Sequence, residues 1–393
     1  MKNSPQIEKK QLSTRLNHSD YQAPAGFAAY PTAVHHASTV LFENVAAMRS
    51  RNWLDKQSYT YGLHGTPTSF TLERRLAEIE DAQHCILAPS GLAAISLIDL
   101  ALLKSGDHVL IPDNAYSPNK ELAHWLQSQF DIAVSVYPPM CGAGIENYIR
   151  PETRLIWVEA PGSVSMEIPD LPVIAEVAHR HQIVVALDNT WSAGIVYPGF
   201  EHGADIIMQA LTKFQSGGSD VLMGAVLVND AELYKRLQLT HMRLGLGVGM
   251  DDVYLVLRGL PTLALRFAEH DRSAREIAAW LKEQPEIQTV LHPALPECPG
   301  HAIWQRDFTG AAGLFSVIFK EEYSEQQIDR FVDALALFGI GFSWGGSHSL
   351  CVPYRMQGMR DNWTERGQLV RFYIGLENTE DLKADIRQAL QQL

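Results

Sequence analysis

The chain has 393 residues, 46% of them apolar and 20% charged, and a formal net charge of -13. That length holds about two domains and a large buried core. The acidic balance argues against a general nucleic-acid binder and against an anionic membrane surface, while leaving room for an anionic ligand in a local basic pocket.

From the N-terminus, MKNSPQIEKKQLSTRL lacks the apolar stretch of a secretory signal, and no run reaches about 18 apolar residues. Neither export nor a membrane span is expected, and a reducing cytoplasm fits. The segment up to about residue 60 is punctuated by proline and polar residues. It reads as a partly disordered stretch or as an arm against a partner. It runs into YTYGLHGTPT (59–68), a loop with two tyrosines, two glycines and a histidine but no Arg or Lys.

At Pro67 the pattern changes. Leu72, Leu76 and Ile79 recur at helical spacing behind a proline suited to a first turn. Seven apolar runs then alternate with helical stretches: HCILAP (84–89), HVLIPD (108–113), IAVSVYP (132–138), RLIWVEAP (154–161), IVVALD (183–188), DIIMQAL (205–211) and GAVLVN (224–229). Apolar strands separated by helices predict a mostly parallel sheet covered on both faces. Ligands of such sheets bind beyond the carboxyl ends of the strands. A long helical pattern at 255–282, broken at Pro261, predicts a bent linker helix. Strand candidates at 313–319 and 369–376 and a charged terminal helix then predict a smaller α+β domain. No internal repeat is present.

The cysteines Cys85, Cys141, Cys298 and Cys351 stand far apart without a CxxC pair, so free thiols are expected rather than zinc or a redox motif. His35-His36 and His179/His181 lack further ligands at metal spacing, and no metal is expected. Gly245-Leu246-Gly247-Val248-Gly249 lacks a strand-to-helix context and reads as a turn.

Three run ends carry chemistry together. The first run is followed by Ser90-Gly91-Leu92 at a helix start, where free N–H groups and the helix dipole favour a phosphate. The fifth ends in Asp188, an acid that needs a partner in an apolar setting or else caps a turn. The sixth is followed by Thr212-Lys213 and the small-residue loop QSGGSD. A desolvated lysine near another cation becomes a nucleophilic amine. An amine, a carboxylate and an anion site match the aldehyde, ring nitrogen and phosphate of pyridoxal phosphate.

On these residues the chain resembles the Cys/Met-metabolism family of pyridoxal-phosphate enzymes, from about Thr14 to the C-terminus, within its bacterial cystathionine β-lyase branch. The carrying stretches are NAYSP (114–118), EAPGSVSMEIPD (159–170), LDNTWSAG (187–194), LTKFQSGGSD (211–220), HPALP (292–296), RDFTGAAGLFS (306–316), FSWGGSHSL (342–350) and LVRFYIGLE (369–377). Gly162-Ser163 and Trp344 stand where γ-acting branches usually have Asn-Pro and Leu.

The resemblance implies fold type I, with a seven-stranded sheet and a smaller C-terminal domain. It implies an N-terminal arm at 1–62 for oligomer and neighbouring-site contacts, a cofactor domain at 63–258 and a C-terminal domain at 259–393. Lys213 would hold the cofactor and shuttle the proton. Asp188 would pair with the ring nitrogen, and Tyr116 would stack on the ring. Gly91, Leu92 and Thr212 would bind the phosphate. Tyr61 would reach in from a neighbouring subunit. Arg371 would clamp the substrate carboxylate, with Ser343, Trp344 and His64 also binding substrate. The implied reaction is β-elimination of cystathionine to homocysteine, pyruvate and ammonia, in a soluble homotetramer built from dimers.

The loop departs from the family's Tyr-Gly-Arg-Arg-Gly-Thr at Leu63 and His64. The first cannot supply the charge that meets a distal carboxylate; His64 can only if protonated. A cysteine-S-conjugate β-lyase of relaxed distal preference, a γ-acting enzyme, a racemase and a scaffold without activity are the alternatives.

Overall fold

The computed structural model of the protein describes residues 10–18, 25–27, 29–56, 58–360 and 363–393. The parts of the expected N-terminal arm at 1–9, 19–24, 28 and 57 lie outside the described residues.

All seven apolar runs are strands of one sheet: β1 (His84–Ala88), β2 (His108–Pro112), β3 (Ala133–Tyr137), β4 (Thr153–Glu159), β5 (Val184–Asp188), β6 (Ile206–Ala210) and β7 (Gly224–Val228). Their order is β1-β7-β6-β5-β4-β2-β3. Only β7 runs against its neighbours. The carboxyl ends of β1, β2, β4, β5 and β6 therefore point to one edge. Residues on β2 and β7 are buried throughout, which is why these strands read as unbroken apolar runs rather than alternating ones. Apolar clusters fill both faces, one around Ile95 and Ile98, the other around Ile174 and Phe267.

Local chemistry fixes the helix starts that matter. In helix Pro67–Glu80 the Thr66 and Ser69 side chains cap each other's backbone, and Pro67 occupies the first turn. Helix Gly91–Leu102 is capped by Ser90, whose Oγ accepts from the Ala93 N–H at 3.0 Å.

The expected bend is present. Helix Met250–Gly259 passes through a 3₁₀ turn at Leu260–Thr262, which contains Pro261, into helix Leu263–Lys282. Beyond it lies a second sheet, ordered β10-β11-β12-β9-β8. Its strands are β8 (Ile287–Leu291), β9 (Leu314–Phe319), β10 (Gly339–Ile340), β11 (Leu350–Tyr354) and β12 (Leu369–Tyr373). The sequence reading found β9 and β12, whose runs are continuously apolar. It missed β8, β10 and β11, which are short, mixed in polarity or interrupted by Pro353. Among the described residues, no helix is long and apolar enough to cross a membrane. Gly245 ends helix Ala231–Leu244 in a left-handed cap at φ 63°, the turn expected of the glycine-rich stretch. All four cysteines are free thiols.

Candidate active site

The carboxyl ends of β1, β2, β4, β5 and β6 open into a cavity of about 590 Å³, closed on the far side by residues 342–344, Tyr354 and Arg371 of the second sheet region. Gly91, Leu92, Tyr116, Asp188, Thr212, Lys213, Ser343, Trp344 and Arg371 all line it. Residues spread over some 280 positions of chain meet because parallel strands deliver their ends to one edge.

Lys213 lies just past β6. Its Nζ donates to Ser343 Oγ at 2.7 Å and stands 5.3 Å from the centre of the Trp344 ring. Desolvation, then the nearby Arg371 charge, lower its pKa to about 8, against the opposing pull of Asp188. About a tenth of the amine is therefore neutral at pH 7, far more than for an ordinary lysine. Ser343 is held at φ 78°, a left-handed conformation that costs a non-glycine residue strain. The next turn residue, Gly345, has φ 96°, and a Cβ there would stand 2.5 Å from the Lys213 carbonyl carbon. The 342–346 loop thus lies directly against the Lys213 backbone.

Asp188 ends β5 and is 9% exposed. One oxygen accepts from the Thr190 N–H at 3.0 Å. Burial raises its pKa, with the Thr190 hydrogen bonds and Lys213 pulling it down. Beside it, in register on β4, stands Glu159. That residue accepts from the Tyr116 N–H at 2.7 Å. Its pKa is pushed far up, first by burial and then by Asp188. The sequence reading singled out Asp188 and passed over Glu159. The signal was the same in both: an acid closing an apolar run.

Gly91 and Leu92 supply the first N–H groups of their helix, which have no partner inside it. A Cβ at Gly91 would fall 2.9 Å from the Ala210 Cβ, so only glycine lets the helix start approach the end of β6. Ser90 also lines this corner. Thr212 is already engaged: its hydroxyl donates to the Met223 carbonyl at 3.2 Å and accepts the Met223 N–H at 3.1 Å. That leaves the helix start as the better anion donor.

Arg371, on β12, is buried, which lowers its pKa. It donates to the Ser163 carbonyl at 3.4 Å and lies 5.0 Å from the Tyr354 ring centre. No carboxylate among the described residues pairs with it. A buried guanidinium without an acid is costly unless a ligand supplies one.

Tyr61 and His64 are not brought to Lys213 within the chain. They line a separate cavity of about 580 Å³, with Leu63 and the ion pair Lys56–Glu73 at 2.5 Å. His64 Nδ1 is 2.9 Å from Thr60 Oγ1, and its ring stacks on Trp53 at 5.0 Å. Burial lowers its pKa, so the neutral imidazole prevails at neutral pH. The protonated His64 considered as a carboxylate partner is therefore disfavoured.

His179 and His181 pair with Asp205 and Glu146 at 3.0 and 3.3 Å, and no cluster of potential metal ligands occurs among the described residues.

The site has close relatives. Residues 13–391 match the model of the Cys/Met metabolism PLP-dependent enzyme family. A cystathionine beta-lyase of Bordetella avium is 40% identical, over 98% of both chains. An L-alanine/L-glutamate racemase of Wolbachia pipientis is 36% identical, over 92% of both. The solved cystathionine gamma synthase of Xanthomonas oryzae pv. oryzae, in complex with aminoacrylate and cysteine, superposes with a TM-score of 0.88 at 28% identity, over 98% of both chains. With a family match across nearly the whole chain and the amine, acids and guanidinium gathered at one sheet edge, the protein belongs to the Cys/Met metabolism PLP-dependent enzymes.

Proposed function

We propose that the protein is a carbon–sulfur lyase that cleaves cystathionine to homocysteine, pyruvate and ammonia. The relatives named cystathionine beta-lyase support the reaction. The observation that carries the substrate class is Arg371, a buried guanidinium with no acid partner, facing the same cavity as the Lys213 amine.

The residues fit pyridoxal phosphate. The glycine-only approach of Gly91 to β6 leaves a cradle of N–H donors for the phosphate. Asp188 offers a carboxylate to the ring nitrogen, and Tyr116 offers a half-exposed ring at the cavity wall. Lys213 is the one amine lining the cavity among the described residues. When bound, the cofactor supplies the electron sink that stabilises negative charge at Cα.

The chain's own groups do the rest. Arg371 takes the substrate α-carboxylate in a bidentate grip and so fixes which Cα bond faces Lys213. Lys213 removes the Cα proton as general base, held toward the reacting carbon by Ser343. Trp344, whose ring centre is 5.3 Å from the Lys213 Nζ, forms the cavity wall beside the amine. The Cα–H electron pair becomes the Cα=Cβ bond as the Cβ–S bond breaks, and the proton taken by Lys213 passes to the leaving sulfur. Water then hydrolyses the released three-carbon enamine to pyruvate and ammonia.

Finer assignments extend this reading. Tyr61 and His64 serve a neighbouring subunit's cavity, in a homotetramer assembled from dimers and working in the cytoplasm. Leu63, and a His64 that is neutral, leave the distal carboxylate of cystathionine without a charge partner from that loop. We therefore read the enzyme as accepting other cysteine S-conjugates as well.

Product identification tests the reading. Pyruvate with homocysteine supports it. Cysteine with 2-oxobutyrate would assign a γ-lyase, and D-amino acids without pyruvate a racemase, as the Wolbachia relative's name raises.

A further inference from the structure

Under the cavity floor runs a chain of buried polar side chains that no step above uses. Glu80, the last residue of helix Pro67–Glu80, is 5% exposed. Its carboxylate accepts from Asn189 Nδ2 at 3.0 and 3.2 Å and from Gln209 Nε2. Gln215 Nε2 in turn donates to Gln209 Oε1. Asn189 is itself pinned, with Nδ2 donating to the Tyr197 carbonyl at 3.1 Å and Oδ1 accepting from Ser192 Oγ at 2.6 Å.

The connections lead to the two working residues. Asn189 directly follows Asp188. Gln209 is the penultimate residue of β6, just before Ala210, and Gln215 lies two residues past Lys213. One carboxylate therefore ties together the three backbone segments that aim Asp188 and Lys213.

The chemistry of the tie is specific. Two amide N–H₂ groups converge on Glu80, and a carboxylate is the one side chain there that accepts from both without adding a donor of its own. Among the described residues Glu80 pairs with no cation. Burial pushes its carboxyl up to about 7, while the Asn189 and Gln209 bonds pull it down. A buried acid held only by neutral amides is an expensive way to fill a core, where an apolar residue would serve.

We propose that Glu80 is a positioning residue for Lys213 and Asp188, acting through Gln209–Gln215 on one side and Asn189 on the other. The proposal rests on Lys213 and Asp188 working as read above. Loss of the cofactor's visible absorption in Lys213→Ala checks that reading separately.

The test uses the cofactor-loaded enzyme with Glu80→Gln, and with the double variant Glu80→Gln/Gln209→Glu, which moves the acid one place along the same chain. Measured are kcat, KM, thermal stability and the pH at which the bound cofactor's visible absorption changes. Glu80→Gln is expected to lower kcat roughly ten- to a hundredfold, the scale of a small misplacement of reacting groups, with little change in KM. Asp188 favours the protonated Lys213, so loosening it shifts the absorption change to lower pH. The double variant is expected to recover part of both effects. Unchanged kcat and absorption in Glu80→Gln would overturn the proposal, whatever happens to stability. So would a double variant that regains stability but neither readout. If Glu80→Gln does not fold, Gln215→Ala takes its place, since it removes the end of the chain without uncovering Glu80. A lower kcat with a shifted absorption change supports the proposal there, and wild-type values overturn it.

Discussion

Glu159 and Asp188 close neighbouring parallel strands in register, two buried carboxyl groups facing one cavity. Burial, then the Asp188 charge, push the Glu159 carboxyl far up. Glu159 also accepts the backbone N–H of Tyr116, so the pair links Asp188 to Tyr116.

Glu159→Gln keeps an acceptor for Tyr116 and swaps a carboxyl that burial and Asp188 push toward its protonated form for a neutral amide. The influences on Asp188, which are burial, Thr190 and Lys213, stay in place. The acid limb of the kcat/KM profile is therefore expected to stay where it is. A pH–rate series on both enzymes checks this. A displaced limb would mean that Glu159 ionises in the working range.

Lys213 in the free chain has a pKa near 8, set first by desolvation and then by Arg371. The neutral amine is the reactive form, so capture of pyridoxal phosphate by the cofactor-free chain should accelerate as pH rises through about 8. Arg371→Leu removes a lowering influence and should move that midpoint upward. Stopped-flow absorbance over a pH series reads both.

If Arg371 grips the substrate carboxylate, Arg371→Leu also removes a charged contact worth about 1.5–3 kcal/mol. kcat/KM should fall roughly ten- to a hundredfold. A substrate amide lacking the carboxylate should show no such difference between the two enzymes, and steady-state kinetics on both substrates makes the comparison.

Gly345→Ala places a Cβ against the Lys213 backbone at a position with φ 96°. The strain is about 1–3 kcal/mol, and the loop can relieve it only by leaving Lys213. Both melting temperature and kcat should fall, measured by calorimetry and pyruvate release. A drop in stability alone would show that the loop does not aim the amine.

Leu63→Arg restores a cation to the loop beside a neutral His64. If the loop serves a neighbour's site, kcat/KM for cystathionine should rise by about tenfold relative to an S-alkylcysteine, the scale of one charged hydrogen bond. Equal change for both substrates would remove the loop from distal-group recognition.

The seven-stranded sheet was legible in the sequence because most of its strands, though not the edge strand β3, are buried on both faces, so burial is written as unbroken apolar runs. The same logic pointed to Asp188 and Lys213, which sit just where such runs end. The short strands β8, β10 and β11 left no such trace. Their pairing comes from neighbours in space, and Pro353 contradicts local strand preference.

The residue types at the strand ends, and their likeness to a family, were thus matters of sequence. Their relations were not. That Glu159 stands beside Asp188 follows from β4–β5 register, and that Arg371 lacks an acid follows from what surrounds it. Thr212 turned out to be engaged by Met223, and His64 to be desolvated and stacked on Trp53. Glu80 meets the chain next to Asp188 and Lys213 only through Asn189 and Gln209, more than 100 positions away. Protonation, pairing and distance depend on what folding brings near, and a linear pattern does not contain them.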